Sequence, residues 1–589
     1  MNLLGKSFVR ITFGWAVGAA VGLLAAGPTP EAAAQTLTPV VETTSGPVQG
    51  TVTEGVKAFQ GIRYAASTAG ANRWTAPQPP TPSPTVIEAT TPGPSCPQPI
   101  DQFSAGPPNS EDCLFLNVWT PLGANRFTDL PVFVWIHGGA LVNGAGLGFD
   151  PSVMVAQNNI IVVTINYRLG ALGWLAEAAV ADANGDSGNY GLMDQQLAMK
   201  WVQNNIRGFG GNPFRVTVGG ESAGGLSTMS NLVSPTAKGL FEAAIIESGA
   251  YMLFTVKPLA AQEALGAEFA AAVGCTGTNA EIAACLRAAS VTTLLTDQGI
   301  IGTSPTSGVA TLPQGLTQAI TSGEFNRVPV MNGSNLNEGR LFEPLDFFDP
   351  KFIFVPGGPL NGLIAEGALT YQSAVALLVG PTDAAAVAAL YPPANFPNPD
   401  FNNLPSADEA FAQIFTDTVF TCNAFSADEQ LANFVPVYAY EFADPNAPNL
   451  FEPLVGFSYG ASHASELQYL FDAATLQGPA DAAANAASPA PGAAVQPPPL
   501  TAGGQTLAAE MKGYWANFVK FGAPNGVFVD STSTAPSFAD IDLLAFWQPF
   551  NFTMAIQDLV PGPTQPHAIF NFSTEHECPS LTALGLAHP

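Results

Sequence analysis

The chain has 589 residues; 47% are hydrophobic, only 11% are charged, and the net charge is −28 with a mean hydropathy of +0.21. An acidic excess of that size repels nucleic acid and anionic membranes, so neither is expected as a partner. Length alone allows several domains, but the strands and motifs below are spread from about Val56 to Trp547, which predicts a single large domain over residues 35–589.

The N-terminus carries Lys6 and Arg10, then an apolar run from Ile11 to Ala26, then Ala32-Ala33-Ala34. That order fits a secretory signal with an A-x-A cleavage site. A membrane anchor is the alternative, but glycines interrupt the run and it falls short of the ~20 residues a span needs. Residues 1–34 are therefore expected to be a cleaved signal peptide, the protein secreted or periplasmic, and stable membrane insertion absent.

The first chemical signal is Pro131 to Ile136, a buried-strand pattern that runs into His137-Gly138-Gly139-Ala140. Glycine turns of this kind present backbone N–H groups to a developing oxyanion. Asn159 to Ile165 reads as a strand and Leu192 to Ile206 as a helix. Phe214 to Val218 is a further strand, leading into Gly220-Glu221-Ser222-Ala223-Gly224. A G-x-S-x-G pentapeptide between a strand and a helix predicts a strained turn that lifts the serine hydroxyl off the sheet. Ser222 is the candidate nucleophile. The N–H of Ala223 would form the oxyanion hole together with donors from the His137-Gly138-Gly139-Ala140 loop.

A serine nucleophile needs a base and an orienting acid. Five histidines are present: His137, His463, His567, His576 and His588. His137 belongs to the glycine turn, and the last three lie in a Pro-rich, polar C-terminal stretch. The order Ser…acid…His favours His463, which follows a strand-like segment from Val435 to Phe442. The strand from Val328 leads to a loop with one carboxylate, Glu338, the candidate acid. Residues 477–504 are Ala/Pro-rich and read as a low-complexity surface insertion. Alternating strands and helices predict an α/β fold with a mostly parallel sheet covered on both faces.

Together these motifs resemble the type-B carboxylesterase family, which includes cholinesterases and para-nitrobenzyl esterases. Further landmarks stand in family order: Ser110-Glu111-Asp112-Cys113-Leu114, Asn166-Tyr167-Arg168-Leu169-Gly170, Asn189 to Gln195, Asn337-Glu338-Gly339 and Tyr514 to Phe518. The resemblance implies an α/β-hydrolase fold with a large, mostly parallel central sheet. It implies a Ser222–Glu338–His463 triad, supporting roles for Glu221 and Ser248, and an oxyanion hole at Gly139, Ala140 and Ala223. Six cysteines in an exported chain suggest three disulfides, and the resemblance selects Cys96–Cys113, Cys275–Cys285 and Cys422–Cys578.

The chain also departs from the pattern. Ala140 replaces the third glycine of the oxyanion loop, keeping the N–H and adding a methyl. Arg63 replaces a proline. The Cys96–Cys113 loop has no tryptophan, so the cation–π contact that binds choline in cholinesterases is missing and choline esters are not the expected substrates. The implied function is a secreted serine carboxylesterase acting on a small-molecule or lipid-like ester through an acyl-enzyme, with no cofactor and no metal. A lipase working at an oil–water interface and a non-catalytic esterase-like binding protein are the alternatives.

Overall fold

The computed structural model describes residues 36–53, 55–100, 108–252, 256–342, 370–398, 404–448, 459–471, 499–525, 547, 549–550, 556–561, 567–569 and 571–587. Among these, eleven strands form one sheet. In chain order they are β1 (Thr51–Thr53), β2 (Val56–Arg63), β3 (Phe115–Pro121), β4 (Leu130–Ile136), β5 (Ile161–Ile165), β6 (Gly211–Glu221), β7 (Ala243–Glu247), β8 (Val330–Asn335), β9 (Val437–Phe442), β10 (Ile556–Leu559) and β11 (His567–Ile569). Their spatial order is β11-β10-β9-β8-β7-β6-β4-β5-β3-β2-β1. The run from β10 to β5 is parallel throughout. Antiparallel pairing is confined to the two flanks, β11 with β10 at one end and β5-β3-β2-β1 at the other.

Parallel neighbours need crossover connections, and here these place helices on both faces. Side-chain alternation along β4 explains why both faces hold them. Val132, Val134 and Ile136 join one buried cluster, while Phe133 and Trp135 join another. The first cluster is completed by α2 (Tyr190–Asn205), α3 (Ala223–Val233), α4 (Leu316–Ser322) and α6 (Cys422–Leu431), through residues such as Met199, Leu226, Ile320 and Leu431. The second is completed by α1 (Ser152–Asn158) and α7 (Ala502–Phe521), through Met154, Met511, Trp515 and Phe518. The remaining helix used below is α5 (Ala407–Phe415). Each large apolar side chain removed from water here contributes about 1.5–3 kcal/mol.

The chain passes from β4 sideways to β5, then returns to the other side of β4 as β6 before continuing to β7. The connections after β4 and β6 therefore part in opposite directions. In an open α/β sheet, such a switch point leaves a crevice at the C-terminal ends of the two strands. His137-Gly138-Gly139-Ala140 follows β4 and Ser222 follows β6, so the two motifs meet there by topology.

The charged landmarks act as internal ties. Arg168 donates to Asp194 through Nε and Nη2, each at 2.8 Å, and both side chains are almost fully buried. Burial pushes the Asp194 carboxyl up, against the opposing pull of Arg168. Arg73 makes a bidentate pair with Glu111 and also donates to the carbonyls of Leu286, Arg287 and Ala289. Arg63 pairs with both carboxylate oxygens of neighbouring Asp112 and stacks over Phe115, which gives the residue in the proline position a structural role. Removing one partner of a buried pair strands the other charge, so Asp194→Ala is expected to cost about 3–5 kcal/mol. Urea unfolding measures this; a loss below ~1 kcal/mol would show that Arg168 finds another partner.

The chain forms the disulfides Cys96–Cys113, Cys275–Cys285 and Cys422–Cys578. The first two close short loops, and the third ties α6 to the C-terminal residues across 156 positions. Two sequence expectations need correction. The segment read as a low-complexity insertion ends earlier than residue 504, because Thr501 caps α7 by accepting from the Gly504 N–H and Gly504 itself is buried. Residues 472–498 lie outside the described residues. The C-terminal stretch is also less polar in context than its composition suggests. His576 is buried between Asp417 and Glu441, at 2.7 Å and 2.8 Å.

Candidate active site

β6 ends at Glu221 and α3 begins at Ala223, which leaves Ser222 to make the whole turn. It does so at φ 55° and ψ −122°, a strained backbone for an L-residue. The flanking glycines are required by close approach. A Cβ on Gly220 would lie 2.2 Å from the carbonyl oxygen of Ile136, and one on Gly224 would lie 1.9 Å from the same atom. These two positions therefore bring the serine turn against the end of β4 and the loop that follows it.

That loop folds back through Gly139, Ala140 and Leu141, all at positive φ. His137 stabilises its base. Its ring stacks on Tyr167 at 4.4 Å, its Nδ1 donates to the Gly138 carbonyl at 2.8 Å, and burial lowers its pKa to about 4. It is a neutral structural imidazole. Among the described residues, the N–H groups of Gly139, Ala140 and Ala223 donate to no protein acceptor. Residues 139 and 140 owe this to the loop's left-handed turn, and residue 223 to its place at the first position of α3.

His463 Nε2 lies 2.8 Å from Ser222 Oγ, and its Nδ1 lies 2.6 Å from Glu338 Oε2. Glu338 is completely buried just beyond the C-terminal end of β8. Its Oε1 accepts from Ser248 Oγ at 2.5 Å and from the Asn335 backbone N–H at 2.8 Å. Glu221 completes the ring of carboxylates, with Oε1 3.2 Å from His463 Nε2. Burial disfavours a charged imidazole at His463. The Glu221 and Glu338 charges and the hydrogen bond to Glu338 outweigh that cost, so its pKa is raised above the ordinary value. Burial also raises Glu221, to about 7, with His463 pulling it down and Glu338 pushing it up.

Ser222, His463, Glu338, Glu221 and Ser248 thus meet at one place, and the glycine loop approaches it at Gly138, beside Glu221 and Ser222. Others at the site were not singled out as candidates. Phe342 and Phe420 flank the His463 ring at 4.9 Å and 5.0 Å. Phe420 lies in a π-helical turn, Thr416–Thr421, between α5 and α6. Thr416 Oγ1 in the same turn accepts from the Gly339 N–H at 2.9 Å, beside Glu338. Such turns recur at functional sites but have no sequence period. Glu466, three residues after His463, is buried and bound to the Asn335 side chain. His567 contributes backbone to the edge strand β11. Among the described residues, no group of three His, Cys, Asp or Glu side chains is arranged to hold a metal ion.

The model of the carboxylesterase family matches residues 37–552. The chain belongs to the carboxylesterase family. Para-nitrobenzyl esterase of Bacillus subtilis (strain 168) is 36% identical over 450 residues, covering 73% of this chain and 82% of the relative. Acylcarnitine hydrolase of Mus musculus is 32% identical over 511 residues, covering 83% of this chain and 84% of the relative. Among solved structures, a thermophilic pNB esterase superposes with a TM-score of 0.69 at 29% identity, covering 92% of this chain and 99% of that one. This carboxylesterase is an α/β-hydrolase and a carboxylic ester hydrolase. Among its described residues no single helix is long and apolar enough to cross a membrane.

Proposed function

We propose that this carboxylesterase is exported after cleavage of residues 1–34 and hydrolyses small-molecule or lipid-like esters through an acyl-enzyme formed on Ser222. The observation that carries the reading is the continuous chain Ser222 Oγ–His463–Glu338, with contacts of 2.8 Å and 2.6 Å. Ser222 Oγ attacks the ester carbonyl while its proton passes to His463 Nε2. Glu338 holds the Nδ1–H tautomer and offsets the imidazolium charge. The N–H groups of Gly139, Ala140 and Ala223 receive the oxyanion. The C–O bond to the alcohol breaks as His463 returns the proton to the leaving oxygen, and water enters by the same steps in reverse to release the acid.

The Ala140 methyl stands beside the oxyanion loop and narrows the alcohol side. The rings of Phe342 and Phe420 limit the other approach to His463. The two relatives, a para-nitrobenzyl esterase and an acylcarnitine hydrolase, favour a site that accepts varied alcohols. A series of p-nitrophenyl esters of increasing acyl length tests the reading. A burst of one p-nitrophenol per enzyme, with the acyl group found on the Ser222 peptide by mass spectrometry, is the expected result. Acylation at another residue would sink it. N-terminal sequencing of the secreted protein tests cleavage after Ala34.

The pH dependence follows from His463. Only the neutral imidazole accepts the serine proton, and the pKa is raised by the two carboxylates. The acid limb of kcat/KM is therefore expected to have its midpoint above the ordinary histidine value of ~6.5. A limb centred below ~6 would mean that burial dominates over Glu221 and Glu338.

A further inference from the structure

The register of the parallel strands lines up four residues in a row beneath the triad. Glu221 of β6 pairs with Glu247 of β7, Glu247 with Gly333 of β8, and Gly333 with Tyr440 of β9. Side chains in such a row share one face of the sheet, here the face covered by α7. Gly333 leaves its place open and the Tyr440 ring occupies it; a Cβ there would lie 2.5 Å from the ring. Trp515 of α7 covers the row, with its ring 5.2 Å from that of Tyr440 and its Nε1 donating to Glu247 Oε1 at 2.7 Å.

The row is buried, yet its polar groups are incompletely satisfied. Glu247 Oε2, Glu466 Oε1 and the Tyr440 hydroxyl are each buried without a hydrogen-bond partner. Glu247, Glu466 and Tyr440 are respectively 0%, 0% and 1% exposed. Glu247 forms no ion pair among the described residues. The groups that bear on it are Trp515 and Glu221 directly, Glu466 and Tyr440 beside it, and Glu338 and His463 on the far side of Glu221. None of these is a fixed cation, and most are acids. A buried carboxylate with one donor and no counter-charge is strongly disfavoured, whereas a carboxylic acid can donate its proton across the row.

We propose that Glu247 is a positioning residue that keeps its proton in the working enzyme, and so keeps a further negative charge away from the Glu221–His463 contact. The proposal rests on the triad reading above. Its consequence is an alkaline limit. Burial raises Glu247 to about 8, with Trp515 opposing and Glu221 reinforcing the shift. Above that pH a new charge sits under an oxyanion-forming transition state and slows the reaction. Stability moves the same way: a carboxyl raised on folding favours the native state below its unfolded pKa of ~4.3, and the benefit is lost as pH climbs to the folded value.

Two measurements test this. In the wild-type protein, infrared spectroscopy is expected to reveal a protonated carboxylic-acid band at pH 7 that fades near pH 8 and is missing from E247Q. Absence of the band, or its survival in E247Q, would overturn the proposal without touching the triad. The second readout is the ratio of kcat/KM at pH 9 to that at pH 7, expected to be at least about threefold higher in E247Q than in wild type. A merely structural role for Glu247 would leave that ratio unmoved. Failure of the triad reading would appear separately, as activity retained by Ser222→Ala.

Discussion

Ser222→Ala is expected to lower kcat by about 10⁴- to 10⁶-fold while leaving the fold and thermal stability intact. His463 Nε2 contacts the Ser222 hydroxyl at 2.8 Å, so its loss removes the nucleophile and the proton it hands over. The backbone has no cause to move. Ser222 is held at positive φ by its N–H bond to the Glu247 carbonyl at 2.8 Å and by the Leu226 N–H donating to its own carbonyl at 2.8 Å. Alanine bears the same left-handed penalty as serine, so the stability change should stay within ~1 kcal/mol. The oxyanion donors survive and leave a residual rate above that of water. Steady-state kinetics beside circular dichroism and a melting curve separate the two effects. Retention of more than about one per cent of kcat in a folded variant would remove Ser222 from the nucleophile role. Ser222→Ala/His463→Ala should be no slower than either single variant, because the residues act as one unit.

What the sequence made legible followed the range of the interactions. The nucleophile turn is local: a strand, a pentapeptide and a helix within about two dozen residues, each with its own period or glycine signature. The β4 strand and its glycine loop were readable for the same reason. Glu338 was weaker, since a single loop carboxylate is ordinarily solvated; chain order and family resemblance singled it out. Its burial comes from Ser248 and the Asn335 backbone, the first of them 90 positions away, brought together by the parallel register of β7 and β8. The Glu247–Trp515 contact spans 268 positions and has no local mark. Phe420 depends on a π-helical turn that no hydrophobic period announces. The start of α7 was hidden by an Ala/Pro-rich composition, although Thr501 is an ordinary capping residue. The buried His576 was misjudged because composition describes a segment and not what folds against it.

His463→Ala should be as damaging as Ser222→Ala, and Glu338→Gln milder than His463→Ala but still severe, at about 10⁴-fold in kcat. The hydrogen bonds of Glu338 dictate how a glutamine would sit. Oε1 accepts from two donors, Ser248 Oγ and the Asn335 N–H. The glutamine carbonyl must take that position, because its NH₂ would face donors there. The NH₂ is then directed at His463 Nδ1, where Glu338 Oε2 now lies at 2.6 Å. An N–H facing Nδ1 selects the imidazole tautomer with its proton on Nε2. That nitrogen faces Ser222 Oγ and can no longer take its proton. The variant thus loses rate through the wrong tautomer as well as through the missing charge, while the fold keeps most of its contacts. Glu338→Asp keeps the charge but shortens the reach, so it should retain more activity than glutamine if tautomer selection dominates. Comparing kcat for the glutamine, aspartate and His463→Ala variants at fixed pH decides the point. A Glu338→Gln enzyme within about tenfold of wild type would remove Glu338 from the orienting role.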